Sequence, residues 1–207
     1  MTELIQIHNQ NPQPRLISQV VAQIRRGALI AYPTDSGYAL GCLIGDKNAI
    51  ERIRFIRDLD KKHNFTLVCR DLSELATYAK VENTVFRLVK NNTPGPYTFI
   101  LRATSEVPNR LKHSKKKTIG IRVPETPITQ ALLEDLGEPL MSTSLILPQQ
   151  EDGEVLEPYE IYELLNGRVD VVIDGGYCGH EPTTVVDLTS GYPEIMRHGA
   201  GDVSVFE

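Results

Sequence analysis

In Ile30-Ala31-Tyr32-Pro33-Thr34-Asp35-Ser36-Gly37-Tyr38-Ala39-Leu40-Gly41-Cys42 an apolar run breaks into small polar residues and then resumes. Ala28 to Tyr32 reads as a buried strand that stops at Pro33, and Ala39 to Ile44 as a second apolar run. Between them lie two hydroxyls, Thr34 and Ser36, one carboxylate, Asp35, and Gly37, which lets a ligand approach the backbone closely. Strand ends of α/β sheets are where ligands usually bind. The same residue types also make an ordinary turn. Pattern alone leaves both readings open.

Outward from this stretch, strands and helices intermix. Leu4 to His8 alternates weakly, as an edge strand does. Leu16, Ile17, Val20, Val21 and Ile24 recur at helical spacing, with Gly27 as a stop. Asp46 is placed to cap a helix carrying Ile50, Ile53 and Ile56. Phe65 to Cys69 reads as a strand, and Asp71 with Glu74 as a capping-box-like helix start. Thr84 to Asn91 reads as a further helix. Pro94-Gly95-Pro96 feeds a strand at Phe99 to Leu101, and Thr118 to Val123 is another. Thr126 is expected to cap a helix from Ile128 to Leu136 closed by Gly137. Leu140 to Ile146 reads as a strand, 149–157 as a polar surface loop and Pro158 to Leu165 as a helix. Late strands are expected at Val169 to Ile173, Thr184 to Leu188 and Glu194 to Met196. The class is α/β or α+β, a single domain over 1–207 with one twisted mixed sheet flanked by helices.

Composition narrows the functional classes. The 207 residues are enough for one domain with a sizeable core. No apolar run approaches membrane-spanning length, and the opening M-T-E-L-I-Q-I-H-N-Q has neither a basic region nor a long apolar stretch. No membrane partner and no signal peptide are therefore expected. Cys42, Cys69 and Cys178 are odd in number and widely spaced, which points to reduced thiols in a cytoplasmic protein. No C-x-x-C, His-rich metal motif, P-loop, G-x-G-x-x-G or nucleophile elbow is present, so no metal ligands are assigned.

A net charge of −5 argues against a uniformly basic nucleic-acid binder. Lys112, Lys115, Lys116 and Lys117 nevertheless cluster beside Arg110 and His113, and Arg52, Arg54, Arg57, Lys61 and Lys62 form a second group. Such groups can contact phosphates, or simply be solvated faces.

The motifs carry a resemblance. Y-P-T-D-S-G-Y-A-L-G-C is similar to Y-P-T-D/E-S/T-x-Y-G-L-G of the YrdC-like family, the threonylcarbamoyl-adenylate synthases. Thr118-Ile119-Gly120-Ile121-Arg122-Val123-Pro124 resembles that family's T-I/V-G/A-I/V-R-x-P. Thr183-Thr184-Val185-Val186-Asp187-Leu188 with Arg197-His198-Gly199 resembles its S/T-T-V-V/I-D-x-T and R-x-G. The matches cover nearly the whole chain, and the YciO branch is resembled most. The resemblance implies a sheet curved around a basic concave cleft. It implies L-threonine at Ser36, Arg122, Ser142 and Thr183, and a nucleotide at Arg57, His63, Thr118, Ser144 and Arg197. The implied reaction joins L-threonine, bicarbonate and ATP with Mg2+, giving threonylcarbamoyl-adenylate and pyrophosphate, as in tRNA modification. No resident cofactor is implied.

Two regions depart from the synthase pattern. Where the family has K-x-R-P-x-x-K, Arg57 replaces the first Lys, Leu59 the Arg and His63 the later Lys. Where it has S-x-S-A-N-x-S-G, Ser142 and Ser144 are kept, Ile146 replaces Asn and Leu147-Pro148 replaces Ser-Gly. Reduced or altered activity is the expectation. The other reading puts double-stranded RNA, tRNA or rRNA against the basic groups without synthase activity, recognised through its phosphates.

Overall fold

The computed structural model describes residues 1–60, 63–113, 115–148 and 155–206. In chain order the elements are β1 (Glu3–Gln6), α1 (Pro14–Arg25), β2 (Ile30–Thr34), β3 (Gly37–Leu43), α2 (Lys47–Arg57), β4 (Thr66–Val68), α3 (Leu75–Tyr78), β5 (Ala79–Lys80), α4 (Asn83–Asn91), β6 (Tyr97–Ala103), β7 (Thr118–Arg122), α5 (Pro127–Leu136), β8 (Leu140–Ser144), α6 (Pro158–Leu165), β9 (Val171–Asp174), β10 (Thr184–Asp187) and β11 (Glu194–Arg197). All strands join one mixed sheet in the order β1-β9-β2-β3-β8-β4-β7-β6-β10-β11, with β5 beside β6. The mixed sheet flanked by helices is the one expected. No described helix is long and apolar enough to cross a membrane.

The two faces of the sheet are covered unequally, and this creates the site. On one face α1 buries Ile17, Val20, Val21 and Ile24, and α5 buries Ile128, Leu132, Leu133 and Leu136. These pack on Ile5, Ile30, Tyr32, Ala39, Val171 and Ile173, the inward residues of β1, β9, β2 and β3. Each such side chain contributes about 2 kcal/mol gross by leaving water. The opposite face carries the larger core, with Ile50, Ile53 and Ile56 of α2 and Ile161 and Leu165 of α6. Past β3, among the described residues, the core on the α1/α5 side extends only to Leu140 of β8 and Val68 of β4. Strands alternate their side chains across the sheet, so the registers identify what lies bare there. Ser142 is opposite Thr66, Thr66 opposite Gly120, and Gly120 opposite Ile100. Val185 lies opposite Thr98 on one side and Arg197 on the other.

Four local expectations are corrected. Strand β2 does not stop at Pro33 but runs to Thr34. Its parallel partner β9 pairs only with Ile30 and Ala31, so Pro33, lacking an N–H, lies beyond the last parallel pairing. Thr126 does not cap α5 with its side chain, whose buried hydroxyl has no partner among the described residues. Proline at the start removes one N–H that would need a cap, while Gly137 closes the helix as expected, in the left-handed region at φ 75°. Asp71 caps a single 3₁₀ turn, accepting from the Ser73 N–H at 2.8 Å, and α3 is only four residues long. Strand β8 ends at Ser144, because Leu145 and Leu147 turn into the core and leave Ile146 outside. Asp46 caps α2 as expected, accepting from the Ala49 N–H at 3.0 Å. All three cysteines are free thiols.

Candidate functional site

Over the bare part of the sheet lies an open cavity of about 470 Å³. Small-molecule sites typically span roughly 300–1,000 Å³. Arg57, His63, Thr118, Arg122, Ser142, Ser144, Thr183 and Arg197 all line it. Ser36 does not. It sits at the tip of the β2–β3 hairpin, its N–H donating to Thr34 Oγ1 at 3.2 Å, and Thr34 is the hydroxyl that reaches the lining. Three arginines face the cavity, and no carboxylate is among its described lining residues. The cavity therefore favours anions.

Arg122 is the most deeply buried of the three, its side chain 8% exposed. It is ion-paired with Asp35, whose other carboxylate oxygen accepts the Glu125 N–H at 3.2 Å. Burial pulls the guanidinium down to about 10, still well above neutral pH, so it stays charged. Its Nε has no partner among the described residues, which leaves a buried donor that a ligand oxygen would satisfy. Gly120, on the same face of β7, keeps the floor low. A side chain there would begin 2.9 Å from Thr66 Oγ1 and 3.3 Å from Thr98 Cγ2.

At the far wall, Arg197 donates from Nε and Nη2 to the Thr183 carbonyl at 3.0 and 2.8 Å, and from Nη2 to Thr183 Oγ1 at 3.1 Å. Thr183 Oγ1 is also 2.8 Å from Thr98 Oγ1. Gly199 lets the chain lie flat here, since a Cβ would fall 2.2 Å from the Pro182 carbonyl oxygen. The R-x-G and T-T-V pieces are thus one physical unit. Asp187 accepts from the Thr189 N–H and hydroxyl at 2.9 and 2.6 Å, ordering the turn after β10.

At the rim, Arg57 donates to the Ile146 carbonyl, and its buried Nε has no described partner. His63 Nε2 is 3.0 Å from Thr143 Oγ1. Burial first, then the Arg57 and Arg54 cations, hold the His63 imidazole below its ordinary value of 6.5. Stability should follow. On acidification the unfolded chain takes up this proton before the folded one, so stability is full above about pH 6.5 and falls below it, towards the folded value. Thermal melts between about pH 7.5 and 5.5 should show a steeper loss for the native chain than for His63→Gln. Equal slopes would remove His63 from the acid response.

The departures from the synthase pattern acquire separate structural meanings. Leu59 is absent from the lining and packs against the larger core. Ile146 is 54% exposed and lies on the cavity rim. The basic groups divide as well. Arg52 is held by Asp170 at 2.7 Å and by the Arg168 carbonyl at 2.9 Å, and Arg54 lies 5.0 Å over the Phe65 ring and donates to the Asp60 carbonyl. Lys112, Lys115, Lys116 and Lys117 lie in the β6–β7 connection, outside the lining. Lys61 and Lys62 lie outside the described residues, as do 149–154 of the expected polar loop. Thr34, Thr66, Thr98 and Thr143 add further hydroxyls to the lining, beside Tyr38 and Asn64. Strand alternation could have grouped Thr98 with Ile100, but only the register sets either beside Gly120.

The chain is similar to several known proteins. The Sua5/YciO/YrdC family model, described as telomere recombination, matches residues 22–199. YciO of Escherichia coli (strain K12) is 60% identical over 206 residues, 100% of both chains. Its crystal structure matches with a TM-score of 0.94 at 59% identity, again over all of both chains. The threonylcarbamoyl-AMP synthase of Vibrio vulnificus (strain YJ016) is 27% identical over 187 residues, 88% of this chain and 98% of its own. A crystal structure of P. abyssi Sua5 complexed with L-threonine matches at a TM-score of 0.86 and 26% identity, covering 96% of this chain and 58% of that one.

Proposed function

This chain belongs to the Sua5/YciO/YrdC family, as a YciO-type domain related to the threonylcarbamoyl-AMP synthases, and we propose that its cavity binds L-threonine and ATP and forms threonylcarbamoyl-adenylate slowly. The observation that carries this reading is the convergence of Arg57, Arg122 and Arg197 with Ser142, Ser144, Thr118 and Thr183 on one cavity with no carboxylate among its described lining residues. Arg122 takes the threonine carboxylate, with its unpartnered Nε as an available donor. Ser142 and Thr183 flank it. Thr118, Ser144, Arg197, His63 and Arg57 line the nucleotide side.

In the reaction the threonine amine joins bicarbonate with loss of water. The resulting carbamate oxygen attacks the α-phosphorus, and pyrophosphate leaves. The protein's part is to bring the reactants together and to neutralise charge. The slowness has a local cause. Leu59 is turned to the core and Ile146 is apolar, so two phosphate ligands of the synthase pattern are missing. A lost donor of this kind is worth on the order of 2–4 kcal/mol of barrier. Mg2+ would come with ATP. The described lining offers it no carboxylate, and no described group of three or more His, Cys, Asp or Glu could hold a metal. The ion would be carried by the triphosphate, a common arrangement for Mg2+.

Pyrophosphate release is the direct test, measured with ATP and bicarbonate and with or without L-threonine. Threonine-dependent release is the expected outcome. No release above background, together with no calorimetric binding of threonine or ATP, would sink the proposal. Salt-sensitive RNA binding would then be the reading to pursue.

A further inference from the structure

Beneath the amino-acid side of the cavity, a buried tyrosine decides what Ser142 can say to a ligand. Tyr32 is fully buried on β2 and does not line the cavity. Its ring lies against Gly41, where a Cβ would approach to 2.7 Å, and its hydroxyl is 2.8 Å from Ser142 Oγ. Ser142 Oγ in turn donates to the Leu40 carbonyl at 3.0 Å. A serine hydroxyl has one proton and two acceptor sites. Ser142 has given its proton to Leu40, so Tyr32 must be the donor in the first bond. Burial pushes the Tyr32 phenol up to about 12, which keeps that proton in place at any ordinary pH. Ser142 is left with one lone pair and no proton.

Thr34 Oγ1, by contrast, is fully engaged: it donates to the Gly37 carbonyl at 2.6 Å, accepts the Ser36 N–H at 3.2 Å and lies 3.4 Å from Ser36 Oγ, which leaves Ser142 as the free acceptor of the two. Arg122, which can only donate, lines the same cavity as Ser142. An acceptor and a guanidinium in one cavity match a ligand that carries both an N–H group and a carboxylate.

We propose that Tyr32 is a positioning residue that locks Ser142 as a pure hydrogen-bond acceptor, so that the site selects an α-amino acid over the same acid without its amine. This rests on the reading that the cavity binds an amino acid. A ligand with no donor at that point leaves the Ser142 lone pair unsatisfied in a buried position, which is costly. Without the tyrosine hydroxyl, Ser142 is free to rotate and to turn its proton towards the cavity, and the selection weakens.

Calorimetry with L-threonine and with 3-hydroxybutanoate, its des-amino analogue, tests this. The native chain should bind threonine at least about tenfold more tightly than the analogue, as expected for one unsatisfied buried group. Tyr32→Phe keeps the ring on Gly41 and should lower that ratio about fivefold, chiefly by letting the analogue bind better. Ser142→Ala should lower the ratio too, and adding Tyr32→Phe to it should change nothing more, because the tyrosine acts only through the serine. A Tyr32→Phe protein that binds threonine with an unchanged ratio, or that weakens both ligands equally, overturns the assignment while leaving the amino-acid reading intact. A native chain that binds neither probe overturns the amino-acid reading itself.

Discussion

Arg122→Ala should abolish measurable L-threonine binding, weakening it at least about 100-fold, as expected when a charge-assisted fork to a carboxylate is removed from a buried site. It should also destabilise the fold. Asp35, whose side chain is 17% exposed, would lose its cationic partner. Removing one member of a buried pair costs about 3–5 kcal/mol, mostly through the charge left behind. Arg122→Ala combined with Asp35→Asn separates the two effects, because the second change removes the stranded charge. The double variant should regain most of the stability and none of the binding. Denaturant unfolding and calorimetry on the three proteins read both quantities. Threonine binding retained in either variant would remove Arg122 from the site.

Ile146→Asn should raise threonine-dependent pyrophosphate release by between about 10- and 100-fold, part of what one preorganised donor supplies. The side chain is 54% exposed on the cavity rim, so the change in stability should stay within about 0.5 kcal/mol, as for exposed substitutions generally. Leu59→Arg, the other return to the synthase pattern, should behave oppositely. Leu59 packs against the core rather than facing the cavity. An arginine there meets apolar neighbours and should cost about 1–3 kcal/mol without raising the rate. Steady-state kinetics and thermal melts of both variants distinguish these outcomes. A rate gain from Leu59→Arg alone would mean that the residues after α2 rearrange when ligand binds.

Much of the local structure was legible because its causes are local. Helix α1 follows from apolar residues at helical spacing and α2 from Asp46 as its cap, while the β2–β3 hairpin follows from two apolar runs around Thr34-Asp35-Ser36-Gly37. Where reading failed, a neighbour distant in sequence had decided. Pro33 stayed in its strand because β9 ends its pairing earlier. Strand β8 stopped at Ser144 because Leu145 and Leu147 found the core. Arg52 and Arg54, indistinguishable from Arg57 by composition, are engaged by Asp170, the Arg168 carbonyl, Phe65 and the Asp60 carbonyl, and neither arginine lines the cavity.

By itself the sequence determined the mixed α/β class, most of the elements and, through its motifs, the family. Those depend on residue type and short spacing, which the chain carries whatever its path. The tertiary structure alone decided which hydroxyls and cations share a cavity. Thr66, Thr98, Gly120 and Ser142 meet only through the registers of four strands, and Tyr32 reaches Ser142 across 110 residues of sequence. A one-residue shift in any of those registers would turn the same side chains to the other face of the sheet. The site is therefore a property of the pairing rather than of the residue string.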